Sequence, residues 1–352
     1  MSWFRDNIDR MAAYVPGEQT GETGVVKLNT NENAYPPSPR VLEALAEFDP
    51  DLLRRYPDAM ATRFRRAAAK VLDVDAEWIL PGNGSDDLIM MIARACTGPK
   101  RRMAYPTPTF TFYRTQADIE NAPAVEVPFD EDFALPLEEL AEANAAVTFV
   151  ANPNSPSGTA VPVEQLDELA QRLDGLLIVD EAYIDFAEPQ FCSLKLPLQR
   201  ENVVVLRTLS KGYSLAGLRL GFAVARPAIL EGLLKTKAIY NVGAVPCLAG
   251  AAAMEDQDHK NANAEKICQA RDKLSRRLEQ MGFKVWPSQA NFLMVRPTAG
   301  DAERLYRELK DRGVLVRYFA GAATADKLRF AVGTDEQNEA LVAGLAALLS
   351  KE

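Results

Sequence analysis

Val203-Val-Val-Leu-Arg-Thr-Leu-Ser-Lys-Gly-Tyr-Ser-Leu-Ala-Gly-Leu-Arg-Leu-Gly-Phe222 is the stretch on which the reading of this chain turns. Its first four residues are an apolar run of strand length, and Lys211 stands just beyond that run among small residues. A lysine in such company gains little from packing or from lying on a surface, and is better explained as a Schiff-base amine. About thirty residues earlier, Leu176-Leu-Ile-Val-Asp180 has the same strand-like form and ends in a carboxylate, with Tyr183 three positions on. Together they predict a cofactor site.

Outward from this segment, amphipathic helices alternate with short apolar runs from about residue 40. Leu88, Met91, Ile92, Ala95 and Cys96 share one helical face, and Leu166, Leu169, Ala170 and Leu173 share another in a helix predicted over Val163 to Leu173. Val125 to Val127, Val147 to Val150, Leu176 to Val179, Val203 to Leu206 and Phe222 to Val224 are predicted strands. Such alternation implies a mostly parallel central sheet flanked by helices. Past residue 250 come a helix carrying Ile267, Ala270, Leu274, Leu278 and Met281, then Phe292 to Val295, a helix from Ala302 to Asp311, Val314 to Val316, Leu328 to Val332 and a terminal helix over Leu341 to Leu349. That mixture predicts a smaller α+β unit. Residues 1–38 are turn-rich with too few apolar side chains for a core, so they must lie on something else. The expected organisation is α/β: an N-terminal arm at 1–38, a large domain at 39–250 and a small C-terminal domain at 251–352.

Composition narrows the function. The chain has 352 residues, 47% hydrophobic and 25% charged, enough for a substantial core, and its formal charge of −9 argues against nucleic acid or an anionic membrane as a partner. Cys96, Cys192, Cys247 and Cys268 lie far apart with no Cys-x-x-Cys spacing, which points away from zinc and disulfides and towards a reducing cytoplasm. His259 is the single histidine, so a Ser-His-Asp triad would have to use it and a multi-histidine metal site cannot be assembled. Its setting, Glu255-Asp-Gln-Asp-His-Lys260, predicts a solvated loop. No secretory pattern and no apolar run of membrane-spanning length is expected.

Several motifs carry chemistry. Pro81-Gly-Asn-Gly-Ser-Asp-Asp-Leu88 opens a helix with Ser85 suited to cap it, an arrangement that can face a phosphate with exposed amides, although an ordinary capped turn would read the same. It is neither a dinucleotide fingerprint nor a Walker sequence. Asp180, directly after apolar residues, suits a buried cation; a carboxylate beside a pyridine nitrogen keeps that nitrogen protonated, as pyridoxal phosphate requires. The Tyr183 hydroxyl suits the phenolic oxygen of the same ring, unless it is a core tyrosine. Ser210 and Arg219 can both grip a phosphate. Tyr105-Pro-Thr-Pro-Thr-Phe-Thr-Phe-Tyr113 offers aromatics for stacking or for the core, and Asn152-Pro-Asn-Ser-Pro-Ser-Gly158 is a loop at a strand's carboxyl end, where open α/β sheets bind ligands.

Read in order, these segments resemble the fold-type I aminotransferases that use pyridoxal phosphate, over nearly the whole chain from Lys27 to Thr334. The likeness is carried by Leu28-Asn-Thr-Asn-Glu-Asn33, Arg55-Tyr-Pro57, Gly82-Asn-Gly-Ser-Asp86, Val179-Asp-Glu-Ala-Tyr183, Arg207-Thr-Leu-Ser-Lys211 and Leu328-Arg-Phe-Ala-Val-Gly-Thr334. Within that superfamily it is greatest to the branch acting on histidinol phosphate. The resemblance implies that Lys211 forms the Schiff base, Asp180 pairs with the ring nitrogen, Tyr183 binds the phenolic oxygen and Tyr113 stacks on the ring. It places Gly84, Ser85, Asp86, Ser210 and Arg219 around the cofactor phosphate, and Tyr14, Asn33, Arg317 and Arg329 in the substrate pocket. It also implies a homodimer in which Tyr56 reaches the neighbouring subunit's phosphate.

The implied reaction is a ping-pong transamination from L-histidinol phosphate to 2-oxoglutarate, yielding imidazole acetol phosphate and L-glutamate, with Lys211 as leaving group and proton carrier. Aromatic amino-acid aminotransferases and threonine-phosphate decarboxylases share the scaffold, so they stand as alternatives. Two positions depart from the family pattern. Ser155 stands where most relatives carry an asparagine that bonds the ring oxygen, and is expected to bind the cofactor in its place with a shorter reach or through water. Asp87 stands where glutamate is frequent, a change expected to affect only the helix start. A nucleotide-binding oxidoreductase lacks its fingerprint here, and a silent binding protein has no use for the set Lys211, Asp180 and Tyr183.

Overall fold

The computed structural model describes residues 2–13, 18, 24–298 and 301–350. A seven-stranded sheet dominates it. Its strands, numbered in chain order within this sheet, are β1 (Ile79–Gly82), β2 (Met103–Thr107), β3 (Ala124–Pro128), β4 (Val147–Ala151), β5 (Leu176–Asp180), β6 (Val203–Thr208) and β7 (Gly221–Ala225). They lie side by side in the order β1-β7-β6-β5-β4-β2-β3. β3 to β6 and β2 pair in parallel, whereas β7 runs antiparallel to both β6 and β1.

The apolar runs are continuous because both faces of the sheet are covered. Val204 and Leu206 join a core with Leu88, Met91 and Ile92 of helix Ser85–Cys96, while Val203 and Val205 join Leu166 and Leu169 of helix Val163–Arg172 on the other face. All five predicted strands of the large sheet are present. β1 and β2 carry no such expectation, because Pro81 and Pro106 interrupt them. The edge strand β1 has a neighbour on one side only, and the pairing of β2 with β4 ends at Ala104, before the residue that lacks a donor. On helix Ser85–Cys96 the buried face takes Ile89 and Ala93 and leaves Ala95 exposed, a slight rotation from the predicted stripe.

A second, antiparallel sheet orders Arg317–Tyr318, Leu328–Ala331, Phe292–Pro297 and Phe283–Val285. Helices Ala302–Asp311 and Asp335–Leu349 pack against it through Leu305, Leu309, Leu341 and Leu345, and Thr334 with Gln337 closes a capping box at the start of the latter. The N-terminal segment lies on both units: Arg5 and Asn7 donate to the Asp118 and Ile119 carbonyls of the large one, whereas Val26–Lys27 pairs in parallel with Val314–Leu315 and Leu28 is buried in the core of the small one. His259 is not in a loop. It sits in the first turn of helix Gln257–Gln280, capped by Asp256, with its ring Nε2 3.1 Å from the Pro36 carbonyl and 3.0 Å from the Asn263 amide. Among the described residues no helix is long and apolar enough to cross a membrane, and no cluster of ligating side chains could hold a metal.

Candidate active site

Asp180 is the last residue of β5, and Lys211 follows three residues after the end of the adjacent β6, so parallel pairing brings acid and amine to one edge of the sheet. Both open onto a single cavity of about 970 Å³. Ser210 and Tyr183 line it from the same edge, Ser85 and Asp86 from the start of helix Ser85–Cys96, Asn29 to Asn31 from the N-terminal segment, and Arg317 and Arg329 from the smaller sheet.

Asp180 is buried, with Oδ2 accepting from the Tyr113 hydroxyl at 2.8 Å and Oδ1 from the Ala182 amide at 3.2 Å. Burial pushes its carboxyl up to about 6; the phenol's hydrogen bond opposes the rise and the charge of Asp86 adds to it. A buried carboxylate so placed is one that a cation would relieve. Behind it, buried Glu181 pairs with Arg207 Nε at 2.6 Å, tying the end of β5 to β6, and also accepts from the Ser193 amide.

Lys211 Nζ donates to the Thr30 carbonyl at 3.1 Å and lies 5.7 Å from the centre of the Tyr183 ring. The Tyr183 ring meets Phe292 edge-on at 5.0 Å, and its hydroxyl accepts from Asn31 Nδ2 at 3.1 Å. Arg219, in a left-handed conformation, extends Nη2 to Asp86 at 3.0 Å and Nη1 to Ser210 Oγ at 3.4 Å. Glycine is required around it: a Cβ on Gly84, whose φ is +81°, would meet Arg219 Nη2 at 2.6 Å, and one on Gly221 would stand 2.6 Å from the Ser85 amide nitrogen. Gly84 itself caps the helix, and Ser85 is its first residue without a side-chain capping bond, contrary to the expectation for Ser85. The amides of this helix start, the Ser210 hydroxyl and the Arg219 guanidinium are therefore held together by residues that leave no room for larger side chains, a donor set that fits a phosphate.

At the other end, Arg329 is buried, donating from Nη1 to Ser155 Oγ at 3.0 Å and from Nη2 to the Asn29 carbonyl at 2.9 Å, while the Arg317 guanidinium lies over Phe319 at 5.2 Å.

Three expectations change. Tyr113 presents no ring face to the cavity. It is fully buried, stacked on Phe149 at 4.7 Å, because Tyr113, Gln116 and Ala117 form the inward face of helix Phe112–Ile119; only its hydroxyl reaches the site, through Asp180. The ring that lines the cavity from this turn is Phe110. Asn33 does not line the cavity either: its Nδ2 donates to the carbonyls of Lys211 and Gly212, and its Oδ1 accepts from Tyr35, so it braces the lysine loop. Asp87 does more than begin a helix, joining the Asn83 amide to the Asn241 side chain. Tyr56 stands apart from this chain's cavity, 82% exposed and stacked on Tyr240 at 4.6 Å. Tyr14 falls outside the described residues. Phe110, Asn31 and Glu181 were not singled out from the sequence, though each lies inside a quoted motif; the phase of the helix after Phe110 and the buried partner of Glu181 are what distinguish them.

Comparison with known proteins agrees with this geometry. Residues 23–345 match the family described as aminotransferase class I and II. The chain is 50% identical over 349 residues to histidinol-phosphate aminotransferase 1 of Trichormus variabilis, covering 99% of each, and 42% identical over 346 residues to histidinol-phosphate aminotransferase of Citrifermentans bemidjiense, covering 98% of each. A crystal structure of histidinol-phosphate aminotransferase from Sinorhizobium meliloti in complex with pyridoxal-5'-phosphate superimposes with a TM-score of 0.91 at 26% identity, covering 100% of this chain and 98% of that one. With its seven-stranded sheet, its smaller antiparallel sheet and this full-length likeness, the chain belongs to the aminotransferase class I and II family, where it groups with the histidinol-phosphate aminotransferases.

Proposed function

We propose that the chain is a pyridoxal-phosphate-dependent aminotransferase that moves the amino group of L-histidinol phosphate to 2-oxoglutarate, leaving imidazole acetol phosphate and L-glutamate. The reading is carried by the convergence of Lys211, Asp180 and Tyr183 on one cavity in a chain whose relatives bear that name along their full length. The residues present fit the cofactor. Asp180 would pair with its protonated ring nitrogen, which supplies the cation that the buried carboxylate lacks; Tyr183 would donate to its phenolic oxygen; Phe110 would offer the stacking ring. Gly84, Ser85, Asp86, Ser210 and Arg219 would hold its phosphate.

When bound, the cofactor supplies an electron sink for the bond that breaks at the substrate Cα. Lys211 Nζ, close to the arm and next to Tyr183, would take the proton from that carbon and give it back two atoms away, at the carbon beyond the nitrogen, so one amine would work in both directions. Arg329 and Arg317 bind the anionic end of the substrate, phosphate in one half-reaction and carboxylate in the other, since a guanidinium fork accepts either. Burial of Arg329 strengthens that contact by excluding water.

A homodimer is part of the proposal, supported by the large apolar side chains of Leu53, Tyr56 and Ile239 left in solvent, at 69%, 82% and 72% exposure, from among which Tyr56 would reach the partner's phosphate site. A cytoplasmic location is supported by four unpaired cysteines. The division into a large and a small domain is supported by the two separate sheets, but helix Ala244–Met254 runs through residue 250 and packs on the large side with Phe64 and Phe222, which puts the boundary after that helix. The test is a half-reaction screen: cofactor-loaded protein should lose its visible absorbance on mixing with histidinol phosphate, faster than with phenylalanine, tyrosine or phosphothreonine. A preference for phenylalanine would overturn the substrate.

A further inference from the structure

The phenol of Tyr183 has one described partner. Asn31 Nδ2 donates to it at 3.1 Å, so the oxygen acts as acceptor and its own proton is left to be given elsewhere. The amide is not placed there by chance packing. Asn31 is buried, lines the cavity, and holds a left-handed backbone with φ of +55°, while its carbonyl oxygen accepts from the buried amide of Asn291 at 3.0 Å. Its Oδ1 meets no partner among the described residues, so the contact with Tyr183 is the bond that positions this amide. The reverse orientation would have the carbonyl oxygen take the phenol's proton. Ser155, which lines the same cavity, is a short hydroxyl already engaged by Arg329 at 3.0 Å.

We propose that Asn31 is a positioning residue which, by donating to the Tyr183 oxygen, commits the tyrosine's proton to the phenolic oxygen of the cofactor. The inference rests on the cofactor reading above. A donor on that oxygen draws electron density away from the neighbouring imine nitrogen, lowering the pH at which the Lys211 adduct loses its proton. Chains of donors polarise one another, so an amide behind the phenol strengthens the contact in front of it. The charged groups that face Tyr183 are Lys211 from the loop after β6, Asp180 from the end of β5, and Arg329, which packs on Phe292 across from the tyrosine ring; all stay unchanged in the test.

The experiment is a pH titration of the visible absorbance band of the full-length protein loaded with pyridoxal phosphate, a readout independent of turnover. Glycine and aspartate both tolerate the left-handed backbone at position 31, so Asn31→Gly and Asn31→Asp should preserve the fold. Asn31→Gly should raise the midpoint by about 0.5 to 1 pH unit, the size of one lost hydrogen bond. Asn31→Asp, which can only accept, should raise it further. Tyr183→Phe should raise it and cancel any effect of a second change at Asn31, whereas Ser155→Asn should lower it and shrink the effect of Asn31→Gly. A midpoint in Asn31→Gly equal to the parent's, with Tyr183→Phe raised, overturns the inference; so does an effect of Asn31→Gly that persists in full beside Tyr183→Phe. Should Asn31→Gly not load, an unmoved midpoint in Asn31→Asp overturns it equally. A parent protein that takes up no cofactor would sink the cofactor reading itself, a failure visible before any variant is made.

Discussion

The two ends of the cavity are built differently. The end that faces Asp180, Ser210 and Arg219 is fixed by adjacent strands of one sheet, in register from Leu177 opposite Val203 to Asp180 opposite Leu206, and its groups lie within a few residues of apolar runs. The end that faces Arg329 and Arg317 is assembled from distant pieces: the smaller sheet, the loop at Ser155 and the N-terminal segment at Asn29. The first is a rigid mount for a group that stays bound. The second is a composite wall for ligands that come and go, and its geometry depends on packing between units far apart in sequence.

That contrast can be broken most sharply at the amine. Lys211→Ala should lower kcat by at least about 10³-fold while leaving cofactor uptake measurable by absorbance, because the amine moves the proton and the mount remains. The rigidity of the mount itself is tested behind the site, where Arg207→Met leaves Glu181 buried and unpaired; unfolding in urea should show a loss of roughly 3 to 5 kcal/mol. Glu181→Gln in the same background should recover part of it.

Asp180 sharpens the comparison through pH. Its carboxyl, raised by burial, holds a proton in the folded state that the unfolded chain has released, so the contribution to stability is present below about pH 4 and is lost as pH rises through about 6. Asp180→Asn should therefore stabilise the cofactor-free protein by up to roughly 3 kcal/mol at pH 8 and by almost nothing at pH 4, while weakening cofactor binding. Thermal unfolding at the two pH values would check this, and equal stability at pH 8 would contradict it. The smallest effect belongs to the composite wall: Arg329→Lys keeps the charge but loses the fork, and should raise KM for the amino donor about 10- to 100-fold with the cofactor spectrum unaltered.

The same contrast governs what could be read before the structure. Asp180, Ser210, Lys211 and Arg219 were legible because each follows or precedes an apolar run by a short, fixed interval, and a strand end is a local property. Tyr113 and Phe110 were not separable, since which ring turns inward depends on the phase of helix Phe112–Ile119 against Phe149. Asn33 was misplaced for a similar reason: its amide meets the Lys211 and Gly212 carbonyls across the fold, a contact no spacing reveals. The strands β1 and β2 were hidden by prolines whose missing donors cost nothing where no neighbour asks for them.

One reversed strand has a wider effect. Since β7 runs against β6, Thr208 and Gly221 are ladder neighbours, and residues 209–220 form a closed ring whose two feet are clamped together. The amine and the guanidinium ride on that single ring. A long parallel crossover would have left them on separately inherited pieces of chain, with their separation exposed to every insertion between them; here it is insulated from whatever is gained or lost in the helices outside.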